Sequence, residues 1–211
     1  MPGHRIFAAI YDRLLAGSEK AGLREMRAEL LGAAGGRVLE LGAGTGLNLA
    51  HYPDRVDELV LTEPDPHMVA RLRRRVADTP LPFEVEVVEA EAERLPFEDR
   101  SFDTVVGTLV LCTVTDPERT VSELARVIKP DGELLLIEHV RSGKESRARW
   151  QDRLERPWGW IGAGCHPNRD SAANLSAKFD VSGLQSDVFP GTTPPIVRPL
   201  IRGSARPIAP A

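Results

Sequence analysis

The sequence predicts an α/β chain whose strands form a doubly wound, mostly parallel sheet. Three observations carry that prediction. Short, branched apolar runs recur along the chain, each is followed by a loop and a helical pattern, and the first runs directly into a glycine-rich turn. Strands that alternate with helices need right-handed crossovers, and those crossovers lay the strands side by side in parallel.

The strands fall at residues 38–41, 59–62, 85–88 and 104–108, with a fifth at 134–138. Ahead of them, residues 19–31 have helical spacing, and Ile6, Phe7, Ile10, Tyr11 and Leu14 share one helical face. Residues 1–35 are therefore expected to form an N-terminal helical cap. Within the core, Pro66 suits the first turn of a helix over 66–77. A second helix over 117–128 has Asp116 as its cap and Lys129-Pro130-Asp131-Gly132 as its stop. Residues 179–189 and 196–205 read as two further strands around a proline-rich turn at 190–195, a C-terminal antiparallel β-hairpin that closes one sheet edge. The Pro and Ala residues after Arg206 are expected to fray. The chain reads as one domain over 1–211, with a binding core at 36–140 and a cap plus terminal hairpin at 141–211.

Composition excludes several function classes. With 27 Lys and Arg against 31 Asp and Glu, the net charge of −4 lacks the basic face that nucleic acid requires. The cluster Arg71, Arg73, Arg74 and Arg75 reads as a solvated helix face. Cys112 and Cys165 stand far apart without metal-ligand spacing, which suits a reducing, cytoplasmic setting and predicts no metal site. There is no apolar run of bilayer length and no leader pattern at Met1, so a transmembrane segment is not expected, although peripheral membrane contact of the first helix stays open.

The chemistry concentrates around residues 38–46, VLELGAGTG. Gly42, Gly44 and Gly46 let the backbone turn tightly and let a ligand approach Ala43 and its neighbours. Glu63, ending the second strand, stands where a ribose would present its two hydroxyls. A nicotinamide-dinucleotide fingerprint would place its third glycine three residues after the second, and here the interval is two. Glu40, directly before the loop, would repel a pyrophosphate but attract an ammonium or sulfonium. The charge therefore favours S-adenosyl-L-methionine. Glu91 follows the third strand and could accept from the adenine amine while the Ala92 amide donates to the ring, with Pro64 and Met68 as apolar walls. At the switch point, the carbonyls of Thr108 and Leu109 could hold the methionyl ammonium, and the amides of 42–46 could face the carboxylate.

These segments resemble the class I S-adenosylmethionine-dependent methyltransferases, of the branch that includes ubiquinone and sterol methyltransferases, over roughly 36–139. The resemblance implies a Rossmann-like fold. GTGLNLAHYP, TLVLCTV, Glu138-His139-Val140, GWIGAGCHPNRDS and IVRPLIRG are also similar to the methyltransferase-like-seven family, whose animal members are thiol S-methyltransferases. That narrower resemblance implies methyl transfer to a small, rather apolar molecule, with alkyl thiols first and phospholipid amines or quinone-type carbons as alternatives. Its animal members carry an apolar N-terminal anchor, which is not carried over to this chain. A nucleotide-binding module without catalysis is the alternative from another class.

Methyl transfer is an in-line displacement, so alignment and exclusion of water matter most. A thiol is partly ionised at neutral pH and asks little of a base. His139, at the carboxyl end of the fifth strand, is the candidate general base or orienting group; alternatively it hydrogen-bonds nearby backbone and orders the loop. Cys112 reads as a packed or pocket-lining thiol. Trp150, Trp158 and Trp160, with Gly159, Gly162 and Gly164, suit a flexible cap over the methyl acceptor. The resemblance adds Asn168 and Arg169 to that region. Tyr11 either closes over the methionyl end or packs its own helix.

Overall fold

A computed structural model describes residues 5–162 and 164–208. The strands are β1 (Gly36–Leu41), β2 (Val56–Thr62), β3 (Glu84–Val88), β4 (Phe102–Thr108), β5 (Ile128–His139), β6 (Phe179–Asp180), β7 (Leu184–Val188) and β8 (Pro199–Pro207). The α-helices are α1 (Arg5–Ser18), α2 (Arg24–Leu31), α3 (Pro66–Asp78), α4 (Pro117–Val127), α5 (Glu145–Ile161) and α6 (Ser171–Ser176). One sheet runs in the order β3-β2-β1-β4-β5-β8-β6, with β7 also paired to β8. β1 to β5 are mutually parallel, and β8 lies antiparallel between β5 and β7. The chain order reverses between β1 and β4, which opens a crevice beyond their carboxyl ends.

Side chains alternate across a strand, and that alternation sorts the chain into two cores. Leu39, Leu41, Val105, Leu134 and Leu136 pack with Leu124 of α4 and Leu175 of α6. Val38, Leu59, Leu61, Val106, Leu135 and Ile137 pack on the other face with Leu31 of α2 and Leu72 of α3. By the same period of two, Glu40, Thr108 and His139 emerge on the α2 side, and Glu138 on the α4 side. Asp65 caps α3 by accepting from the His67 and Met68 amides, and Asp116 caps α4 through Arg119 N, a contribution of about 1 kcal/mol each.

The C-terminal hairpin is β7 with β8, but residues 179–189 do not form one strand. Asp180 accepts from Ser182 N at 3.0 Å, an Asx turn that separates β6 from β7. Two expected crossover helices are missing. After β1 there is only a 3-10 turn (Leu49–His51) before Pro53. After β3, residues 89–101 form turns whose backbone bonds Glu123 and Arg126 of α4, through Leu95 N and the Leu95 and Phe97 carbonyls. Conversely, the expected flexible cap begins as a 17-residue helix, α5, which tolerates Pro157 near its end. The N-terminal helices α1 and α2 are joined by a π turn (Glu19–Leu23) kinked at Gly22, φ 130°. Positions 1–4 and 209–211 lie outside the described residues; of the tail expected to fray after Arg206, Pro207 belongs to β8 and Ile208 N donates to Lys178 O at 2.9 Å.

Candidate active site

The glycine loop is bound into the sheet by its own amides. Ala43 N donates to Thr62 O at 2.9 Å, and Gly46 N to Ala43 O at 2.8 Å. Gly46 has φ 84°, and a Cβ there would stand 2.8 Å from Leu72 and 2.9 Å from Leu49, so packing requires glycine. Gly44 is different. At φ 57° its added Cβ would meet Tyr11 Cε1 at 3.8 Å and otherwise almost nothing, so the loop leaves its outer surface open toward the crevice. Glu63 sits beneath it, accepting from Gly44 N at 2.9 Å and Asp65 N at 3.0 Å. Burial raises its pKa, the two amides oppose that shift, and each oxygen keeps a lone pair for a diol.

Glu40 is buried at 2% exposure and accepts from Asn48 Nδ2 at 2.9 Å and Tyr52 OH at 2.6 Å. Burial pushes its pKa up to about 7 despite those donors. Asn48 and Thr108 extend the network to Arg27, whose Nη1 donates to Asn48 Oδ1 at 2.8 Å and Thr108 Oγ1 at 3.0 Å. Arg27 Nε is paired with Glu19 at 3.0 Å. Sequence reasoning missed this arginine, although a signal was present: Leu23, Arg27, Leu30 and Leu31 fall at helical spacing, so the charge interrupts an apolar stripe. Tyr11, Arg27, Glu40, Gly42, Asn48 and Thr108 surround a small cavity of about 10 Å³. That is below the roughly 300–1,000 Å³ usual for ligand sites.

The first helix closes this space. Tyr11 is half-buried against the loop, and the enclosure of its hydroxyl raises its pKa to about 12. Asp12, which sequence reasoning did not single out, accepts from Thr45 Oγ1 at 2.6 Å and pairs with Arg75 Nη2 at 2.5 Å. Arg75 is thus a clamp on α1, unlike the free solvated residue expected of its cluster. Further along the crevice, Met68 and Ala92 are buried while Pro64 and Glu91 are exposed, at the ends of β2 and β3.

Beyond β4 the site is assembled from distant segments. Leu109 holds φ 60°, rare for a non-glycine residue, and donates to Ile137 O at 2.7 Å. Glu138, fully buried, accepts from Val110 N at 2.7 Å, Leu111 N at 2.8 Å and Cys112 N at 3.4 Å, which fixes the loop after β4. Burial raises the Glu138 pKa to about 7. Arg169 Nη1 donates to Leu111 O, and His166 N to Cys112 O, both at 2.8 Å. Glu155 pairs with His166, and Asp152 with Arg141 and Asn168. Trp158 is half-buried beside Cys165, whereas Trp150 and Trp160 are exposed.

His139 stacks on Phe189 at 4.8 Å and hydrogen-bonds the Val197 backbone. Its Nδ1 is buried with no partner among the described residues. Burial lowers its pKa to about 4, so the ring is neutral at physiological pH and offers an accepting nitrogen.

A methyltransferase-domain family model matches residues 39–136. The thiol S-methyltransferase TMT1B of Rattus norvegicus is 36% identical over 174 residues, covering 80% of this chain and 69% of the rat protein. A phosphatidylethanolamine N-methyltransferase of Cereibacter sphaeroides is 37% identical over 155 residues, 72% of this chain and 75% of that protein. Among solved structures, a SAM-dependent methyltransferase of Thermotoga maritima, titled a possible histamine N-methyltransferase, superposes with a TM-score of 0.66 at 22% identity, covering 95% and 97% of the two chains.

Proposed function

The chain belongs to the class I S-adenosylmethionine-dependent methyltransferases, and on that premise we propose that its methyl acceptor is a small, rather apolar thiol. The observation that carries this reading is the burial of His139 against Phe189, which leaves its Nδ1 without a partner among the described residues and favours the neutral ring. A base with a pKa near 4 is a poor acceptor for the proton of an alkylammonium, whereas a thiol near its reference pKa of about 8.5 reaches its nucleophilic form without one. Names among the relatives support thiols and, second, phospholipid amines.

The residues present fit S-adenosylmethionine: an open cradle at Gly44, a carboxylate fixed under it, and a buried acid beside a buried guanidinium. Bound there, the cofactor supplies an electrophilic methyl group on a sulfonium. Glu63 holds the ribose hydroxyls, Pro64 and Met68 flank the adenine, and Glu91 with the Ala92 amide reads its edge. Glu40 and the Thr108 and Leu109 carbonyls face the positive groups. The amides of Ala43, Gly44 and Gly46 are already engaged within the protein, so Arg27 is the partner for the methionyl carboxylate. Tyr11 closes over that end and excludes water. His139 orients the methyl acceptor through Nδ1, and Cys112, Trp158 and Phe189 give it apolar walls.

No helix among the described residues is long and apolar enough to cross a membrane. Two free cysteines suit the cytoplasm. The exposed Ile6, Ile10 and Leu14 of α1 favour the second reading, an amine of a phospholipid reached by peripheral contact. Labelled methyl transfer to an alkyl thiol, phosphatidylethanolamine vesicles and a quinol precursor decides among them. Thiol turnover at least tenfold above the others is expected. A faster amine reaction overturns the thiol assignment, and cofactor binding without transfer to any of them would favour the non-catalytic module.

A further inference from the structure

The two cysteines, distant in the sequence, are brought into contact by the fold. The two thiols are near enough for each to shift the other's ionisation, and they are 1% and 7% exposed. Their backbones are joined next to the sulfurs by the 2.8 Å bond from His166 N to Cys112 O. Arg169, bonded to Leu111 O, lends both sulfurs positive charge, while Glu138 opposes it from below. We propose that Cys112 and Cys165 are a dithiol–disulfide couple which, oxidised by a small-molecule disulfide, fastens the turn containing Cys165 to the loop after β4.

Cys165 is the entry thiol. It is the more exposed of the two and lies in a glycine-flanked turn with Gly164 at φ 88°. The neighbouring Cys112 thiol, the Trp158 indole and the Arg169 charge favour its thiolate, and its pKa is lowered. The Cys165 thiolate attacks one sulfur of the small disulfide, whose S–S bond breaks and releases one thiolate, protonated by solvent. Cys112 then loses its proton to solvent and attacks the Cys165 sulfur of the mixed disulfide, displacing the second small thiol. Two protein thiols and one small disulfide become one protein disulfide and two small thiols, with two electrons passing to the small molecule. Cys112 gives up the proton it shares with Leu109 O at 3.6 Å, so oxidation alters the carbonyl at the end of β4. The same chemical class, a thiol and its disulfide, would then serve as methyl acceptor and as signal; that last link alone rests on the thiol reading.

The full chain is equilibrated in mixtures of reduced and oxidised glutathione, quenched in acid, unfolded, labelled with a maleimide and weighed. The expected result is a change from two labels to none along one redox curve, with a peptide linking Cys112 to Cys165. Two labels at every ratio, or a chain that stops with a glutathione adduct, would overturn the couple. In Cys112→Ser the reaction should halt with one glutathione on Cys165, and absence of that adduct would refute Cys165 as the entry thiol. The readout is mass, so its failure leaves the methyl-acceptor assignment standing, and failure of that assignment leaves the disulfide result intact.

Discussion

The half of the crevice beside β1 and the half beyond β4 are built from different materials. The first is one continuous stretch, from Glu40 through the glycine loop to Glu63, joined to α1 and α2 by a dense set of polar contacts. The second gathers the loop after β4, the end of β5, the turn after α5 and the segment before β8 around thiols and aromatic rings. The first half presents charged groups and fixed donors and acceptors. The second offers shape, softness and one neutral imidazole. A polar ligand of constant structure needs the former; a small apolar one gains from the latter, where few groups demand a hydrogen bond.

The sharpest way to break that contrast lies in the loop. Gly44→Val should weaken S-adenosylhomocysteine binding on the order of a hundredfold, about 3 kcal/mol, while backbone strain lowers stability by only about 1–3 kcal/mol. Calorimetry with a thermal melt separates the two effects, and unchanged affinity would remove Gly44 from the cradle. Next is Arg27→Met, which strands the buried Glu19 and should cost about 3 kcal/mol of stability and roughly tenfold in cofactor affinity. Denaturant unfolding and calorimetry report the two losses, and an unaltered affinity would leave Arg27 as scaffold alone.

On the other side, His139→Phe should raise KM for the methyl acceptor severalfold, within about 1 kcal/mol, and leave the pH dependence of kcat unchanged. Loss of an inflection in that profile would restore a general-base role. The smallest effect is protonic. Glu40 has its folded pKa raised to about 7, so its contribution to stability is present below its ordinary carboxylate value and is lost as pH rises through 7. A cation bound beside it favours the ionised form, and binding at pH 7 should release about half a proton. Calorimetry in two buffers of different ionisation enthalpy measures this, and proton uptake would contradict the placement of Glu40.

The same division explains what could be read before the fold was known. The loop and Glu63 were legible because positive φ and close approach leave few residue choices at fixed intervals. The parallel strands were legible from uninterrupted branched runs such as VLEL and TVVGT. Helix α5 was hidden by Pro157 and Gly159, which argue against a helix locally but are accommodated near its end. Arg27 was missed although it interrupts the apolar stripe of Leu23, Leu30 and Leu31 that packs inward. The meeting of Cys112 with Cys165 was written in no local pattern, because it depends on how α5 and the turn after it return to the end of β4.

The placement of β8 between β5 and β7 has a consequence for biosynthesis. Until residues 199–207 have left the ribosome, β5 presents a bare edge and β7 has no neighbour, so the sheet cannot be completed during translation of the earlier segments. A nascent chain paused before that point would expose the β5 edge as a border ready to pair with another chain.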